Sequence, residues 1–144
     1  MGRLKRGYDV GEPNRQFRIQ VKLSAVDSIP LVVIEGECDA FTAPLAHGAV
    51  NGLVNAGYKE IIIDLTDLRY MDAAGFHALD ECCMKMKECC MKMKVAGGDI
   101  VLVNPSVCVE EIYEILRVRE SCTIVDTLDE ALARLRSRRT QGSS

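Results

Sequence analysis

A nearly unbroken apolar run, Ile61-Ile62-Ile63-Asp64-Leu65, stands just ahead of a long stretch whose apolar residues return at helical spacing. A continuous run of this kind reads as a strand covered on both faces. The stretch from about Ala73 to Val95, stopped by Gly97-Gly98, reads as an amphipathic helix. A buried strand that hands over to such a helix calls for a layered α/β arrangement. The handover is Tyr70-Met71-Asp72-Ala73-Ala74-Gly75. An acidic residue capping a helix just past a strand is a place where open α/β folds put function. The two alanines after it carry no hydroxyl, thiol or imidazole, so this corner acts by being bound and not as a nucleophile.

The rest of the chain repeats the alternation. Residues 1–15 mix charge, Gly and Pro without periodicity and read as a flexible N-terminal tail. From Gln16 to Ala25, Phe17, Ile19, Val21 and Leu23 alternate with polar neighbours, as in a half-exposed strand. Asp27-Ser28 marks a turn, and Ile29 to Gly36 is a second strand, so the two form a hairpin. Thr42, with Pro44 in the first turn, starts a helix whose inner face is Leu45, Ala49, Leu53 and Val54, and Asn55-Ala56-Gly57 ends it. After the long helix come a strand over Asp99–Val103, a helix from Asn104-Pro105-Ser106 to about Val118, and a short strand over Thr123–Val125. Thr127 and Glu130 form a capping box for a last helix carrying Leu128, Ala131, Leu132 and Leu135 inward. The predicted order is β-β-α-β-α-β-α-β-α: a mixed, mostly parallel sheet of four or five strands with about four helices and an antiparallel hairpin at the front. Residues 16–138 form the folded domain, Val33, Ile62 and Leu102 lie in its core, and residues 139–144 form a disordered polar C-terminal tail.

With 144 residues, the chain suits one domain. A net charge of −3 offers no basic field for nucleic acid. No apolar run is long enough to cross a bilayer, and the basic Met1–Arg6 start has no apolar signal core behind it. These features point to a cytoplasmic protein.

Seven cysteines include two adjacent pairs, Cys82-Cys83 and Cys89-Cys90, without any Cys-x-x-Cys. Along one helix Cys82 and Cys89 stand about 10 Å apart, too far for one zinc ion. They read as small, soft, reduced residues and not as a metal or redox site. Both pairs belong to a tandem duplication: the heptad Glu81–Lys87 is repeated without change as Glu88–Lys94. Seven residues are nearly two helical turns, so the repeat preserves the apolar stripe Leu79, Cys82, Met86, Cys89, Met93. Glu81-Lys85 and Glu88-Lys92 are favourable i,i+4 pairs, worth about 0.2–0.5 kcal/mol each. A helix of this length outruns a typical strand. With Asp72 fixing its start, the extra turns are expected to overhang the sheet beyond Val95; a coiled-coil dimer seam is the alternative.

Gly36-Glu37-Cys38-Asp39 with Thr42-Ala43, then Ile62–Leu68 with Met71-Asp72-Ala73-Ala74-Gly75, and later Gly97-Gly98, together resemble the signatures of STAS domains. That family includes bacterial anti-sigma factor antagonists. The resemblance covers about Phe17 to Leu135. Removing one heptad restores the family's usual distance between the Asp turn and the Gly-Gly. It implies a STAS-like fold with helices largely on one face of the sheet, no cofactor, and no enzymatic activity. It also implies docking on an anti-sigma factor, often a serine kinase, to release a sigma factor, with phosphorylation of the residue before the Gly switching docking off. Here that phosphoacceptor position is Ala74, so the switch at this position is lost.

The resemblance places partner contact at Asp39, Thr42, Asp72, Ala73, Ala74 and Gly75. Plainer roles stand beside it. Asp72 is a helix N-cap worth about 1 kcal/mol, Asp39 a turn former, and Gly75 a site of close backbone approach. Thr42 and Thr66 are the alternative hydroxyls for regulation. His77 near Asp72 invites a general-base reading, but no nucleophile accompanies it; it and His47 read as surface helix residues. The rival assignment is a STAS subunit of another complex, a stressosome-like assembly or a lipid-transport ABC complex.

Overall fold

Alternation of buried and exposed residues in one segment and continuous burial in the next make the two kinds of strand that this sheet combines. The computed structural model describes residues 7–14, 17–23, 28–92, 99–104 and 123–142. In chain order these form β1 (Gly7–Asn14), β2 (Phe17–Leu23), β3 (Pro30–Cys38), α1 (Ala43–Asn55), β4 (Glu60–Asp64), β5 (Leu68–Met71), α2 (Ala73–Lys92), β6 (Asp99–Val103), β7 (Thr123–Val125) and α3 (Leu128–Gly142). The sheet runs β1-β2-β3-β4-β6-β7, with β5 paired to the end of β3. β1, β2 and β3 are antiparallel, and every later pairing is parallel. The expected hairpin and mixed, largely parallel core are both present. The helix expected over residues 105–118 lies outside the described residues.

β4 shows why its sequence is unbroken. Ile61 and Ile63 face the larger core beneath α1 and α2, while Ile62 faces a second core closed by Ala131 and Leu135 of α3. Helices therefore cover both faces, where the family resemblance implied mainly one. α3 is short on apolar residues and covers β4, β6 and the edge strand β7. Leu102 is buried as expected, but Val33, out on β3, is half-buried. Leu128 is exposed, because the inward stripe of α3 begins only at Ala131.

Four further expectations are corrected. Residues 7–14 are not a loose tail but strand β1, with Tyr8 paired to Val21 and Val10 to Ile19. An edge strand is held by backbone bonds on one side, so it needs no side-chain periodicity and tolerates Pro13 and an irregular register. At the other end, α3 continues to Gly142, past the expected limit at 138. The inner stripe of α1 is Ala43, Ala46, Val50 and Val54; Leu45, Ala49 and Leu53 are only half-buried. Small residues on the inner face let α1 sit close to α2, which displaces the larger leucines outward. Tyr70-Met71, read as part of a turn, belongs to the short strand β5.

Gly57 ends α1 as expected. At φ +100° it adopts a left-handed conformation open to glycine. Tyr58 N–H then donates to the Leu53 carbonyl (3.2 Å) and Gly57 N–H to the Val54 carbonyl (3.1 Å), a Schellman closure. At the start of α3, Thr127 Oγ1 accepts from Glu130 N–H at 3.1 Å, one half of the predicted capping box.

The duplicated heptads lie on α2 and remain on the core through Cys90, so the described part of the helix does not overhang. Residues 93–98 lie outside the described set. Glu81 and Lys85 do not pair with each other; they reach across to α1, where Glu81 meets His47 at 3.4 Å and Lys85 donates to Asn51 Oδ1 at 2.9 Å. The thiols divide by face. Cys82 points at α1, its Sγ 3.8 Å from the His47 carbonyl. Burial pushes its pKa up to about 12, with Glu81 adding to the rise and Lys85 opposing it. Cys83, one position round the helix, is disulfide-bonded, contrary to the expectation of free thiols throughout. Cys38, Cys82, Cys89 and Cys90 form no disulfide.

Candidate functional site

The loop from β3 into α1 is built by two short polar side chains that bond their own backbone. Asp39 Oδ1 accepts from Phe41 N–H (2.9 Å) and Thr42 N–H (3.2 Å). Thr42 Oγ1 accepts from Asp39 N–H (2.9 Å) and donates to the Glu37 carbonyl (2.9 Å). Aspartate and threonine favour such turns because a short side chain can replace a backbone acceptor. Thr42 is the N-cap residue of α1, yet its hydroxyl is tied to β3 and makes no cap bond. The outcome is a rigid turn that holds Phe41 outward, 90% exposed.

The second loop, from β5 into α2, is pinned to the first. Asp72 N–H donates to the Cys38 carbonyl at 3.2 Å, directly after the paired residues Cys38 and Met71. Asp72 Oδ1 accepts from Ala74 N–H (2.9 Å) and Gly75 N–H (3.1 Å), and its carbonyl accepts from Phe76 N–H (3.0 Å). This is an N-cap that satisfies two otherwise unpaired helix amides. Gly75 is required by space: a Cβ there would lie 2.6 Å from the Cys38 carbonyl oxygen and 2.9 Å from its Sγ. The first turn of α2 therefore rests on the end of β3.

Asp39, Thr42, Asp72, Ala73, Ala74 and Gly75 are thus brought to one sheet edge, with Cys38 as the common anchor. Asp39 and Asp72 are both half-buried, and each engages its own loop through Oδ1. Ala73 is exposed, whereas Ala74 is half-buried and packs on the core. The His77 ring tilts against Phe76, centroids 5.8 Å apart, and no His77–Asp72 bond forms. His47 sits away from the corner, against Glu81. The edge presents carboxylates, small apolar side chains and two aromatics, a composition suited to holding a protein surface. Among the described residues, no three His, Cys, Asp or Glu side chains group to hold a metal.

Phe41 and Tyr70 are the residues that sequence reasoning missed. Tyr70 lies on β5 opposite Glu37 and is 45% exposed. The available signal was an aromatic inside the polar turn Asp39-Ala40-Phe41-Thr42, where no core face can receive it. Next to this turn, Leu45 and Leu53 flank Gly48, Ala49 and Gly52 in a shallow apolar groove along the outer face of α1.

The chain belongs to the STAS domain family, whose pattern matches residues 20–131. A structure of a candidate anti-sigma factor antagonist from Thermotoga maritima aligns over 81% of this chain and 92% of its own, at 24% identity and TM-score 0.63. The anti-sigma factor antagonist SpoIIAA of Bacillus, unphosphorylated, aligns over 82% of this chain and 97% of its own, at 21% identity and TM-score 0.59. The murine anion transporter Slc26a9 aligns over 94% of this chain but only 23% of its own, at 12% identity and TM-score 0.58. At these identities the likeness establishes a shared fold. No curated protein sequence matches the chain.

Proposed function

We propose that this protein is a docking regulator of the anti-sigma factor antagonist type. In this reading it binds an anti-sigma factor, often a kinase-like protein, through the edge formed by Asp39, Phe41, Thr42 and Asp72, and so frees a sigma factor. The observation that carries the reading is the joining of the two acidic loops through the Cys38 carbonyl, which presents both carboxylates and Phe41 on one rigid edge. An exposed aromatic on a pre-ordered turn is a suitable interface anchor, since little entropy is lost when it is covered. The groove on α1 extends the same surface.

The lost hydroxyl sets the regulation. Serine at 73 would face solvent and a kinase, and serine at 74 would be partly covered by the core, so exposure favours position 73 over 74 as the accessible acceptor. Either way the corner carries alanine, and the protein binds without a phosphate switch there. Thr42 is a poor substitute because its hydroxyl is held by Glu37 and Asp39. Thr66 is exposed but bonded to Asp64.

A second reading is a STAS module that works inside a larger assembly; the 23% coverage of the transporter chain is an instance of this fold as one part of a larger protein. The two are separated by capture from native cells, followed by calorimetric titration of the captured partner. The first reading expects an anti-sigma factor, and expects Phe41→Ala or Asp39→Lys to weaken binding by more than tenfold, about 1.4 kcal/mol. Recovery of a permease or transport ATPase, with both variants binding as wild type, favours the second.

A further inference from the structure

The exposed face of α2 carries a second surface, unconnected with the acidic edge. His77, Glu81, Met84, Glu88 and Met91 are all exposed and recur at spacings of 4, 3, 4 and 3. That is the rhythm of a helix–helix seam. Met84 is 53% exposed and Met91 79%, whereas Met71 and Met86 are inside the core. Glu81, Met84, Lys85 and Glu88 surround a shallow groove, with Cys89 at its margin. Residues at i, i+3, i+4 and i+7 are the four corners of the hole that receives a knob in knobs-into-holes packing.

We infer that this face pairs α2 with α2 of a second copy of the chain, antiparallel, with Met91 of each copy seated in the Glu81–Met84–Lys85–Glu88 hole of the other. The two-fold axis then passes between Lys87 and Glu88. It sets Met84 of one copy over Met91 of the other, and Lys87 of each beside Glu88 of the other. The charges choose the orientation. In a parallel, in-register pair Glu81 meets Glu81 and Glu88 meets Glu88, whereas the antiparallel pair brings opposite signs together.

The tandem repeat supplies both halves of the contact. The first heptad provides Glu81, Met84 and Lys85 of the hole; the second provides its fourth corner, Glu88, and the knob, Met91. Deleting residues 88–94 would leave Val95 in place of Glu88 and Gly98 in place of Met91, with neither hole nor knob. The axis lies about 20 Å along the helix from Ala74 at 1.5 Å per residue. A dimer built this way keeps both acidic edges accessible, and its existence does not depend on what those edges bind.

The test is sedimentation of the full chain across a wide range of micromolar concentrations. Cys89→Ser serves as the background so that disulfide exchange at the groove margin plays no part. The expected result is a reversible monomer–dimer equilibrium that Met91→Lys weakens at least tenfold, with helicity by circular dichroism unchanged because Met91 is outside the core. Lys87→Glu alone also weakens it, and Lys87→Glu with Glu88→Lys restores it, since the swap exchanges both members of each symmetric pair. A wild-type chain that stays monomeric throughout, a Met91→Lys variant that dimerises normally, or a double variant that fails to recover overturns the inference.

Discussion

The backbone carbonyl of Cys38 accepts the N–H of Asp72 at 3.2 Å, and that bond joins two loops that are 34 residues apart in the chain. It places the N-cap of α2 against the residue that precedes Asp39. The corner is consequently a property of the sheet edge and not of either loop alone. Because one oxygen of each carboxylate is engaged locally, the loops keep their shape without a partner. Changes here therefore divide into those that disturb the scaffold and those that alter only what it presents.

Gly75→Ala belongs to the first kind. The added methyl would meet a backbone carbonyl at 2.6 Å, which cannot rotate away. Overpacking of this sort costs about 1–3 kcal/mol. Gly52→Ala on the exposed side of α1 is the control, since nothing lies within 4 Å of its Cβ. That variant should gain about 0.4–1 kcal/mol from reduced freedom of the unfolded chain. Urea denaturation of the two variants should therefore move the midpoint in opposite directions.

Asp72 allows capping and docking to be separated. Asparagine caps a helix nearly as well as aspartate, whereas alanine loses about 0.5–2 kcal/mol. Asp72→Asn should leave the urea midpoint close to wild type, and Asp72→Ala should lower it. If the proposed docking uses the charge, both variants lose affinity together. Normal binding by Asp72→Asn would restrict this residue to a structural role.

The legible parts of the fold were those in which one residue type answers to one cause. The continuous Ile61–Leu65 run needs two covered faces, and α1 with α2 on one side and α3 on the other supply them. Asp72 before two small residues and a glycine reads as a cap with close approach, and both are present. The missed parts depend on context that periodicity does not carry. β1 is held by backbone bonds to β2, α1 turns its small residues inward to reach α2, and Glu81 and Lys85 find partners on another helix. Phe41 was overlooked because exposure, unlike burial, leaves no repeating pattern.

The alanine pair predicts a gain of function. With a cognate anti-sigma kinase and ATP, wild-type protein should remain unlabelled at 73 and 74. Ala73→Ser should be labelled more readily than Ala74→Ser, because residue 73 is exposed and residue 74 is half-buried. Phosphate transfer measured by intact mass would decide the order. Stoichiometric labelling of wild type would place an acceptor elsewhere and remove the constitutive reading.

The thiols give a pH signature of stability. Burial raises the pKa of Cys82 to about 12 from the ordinary thiol value of 9.0, and it raises that of Cys90 as well, with burial again the leading cause. Both favour the neutral thiol in the fold, so their contribution is fully present below pH 9.0. Above that value the unfolded chain loses protons that the folded chain keeps, and stability falls as pH rises toward about 12. The slope from Cys82 alone is at most about 1.4 kcal/mol per pH unit. Cys82→Ala should flatten this alkaline decline in urea midpoints measured from neutral pH upward, relative to wild type. Among the thiols of the described residues that form no disulfide, iodoacetamide under native conditions near neutral pH should react first with half-exposed Cys89 and reach Cys38, Cys82 and Cys90 only on unfolding. Rapid native alkylation of Cys82 would mean that the α1–α2 contact opens far more readily than its packing allows.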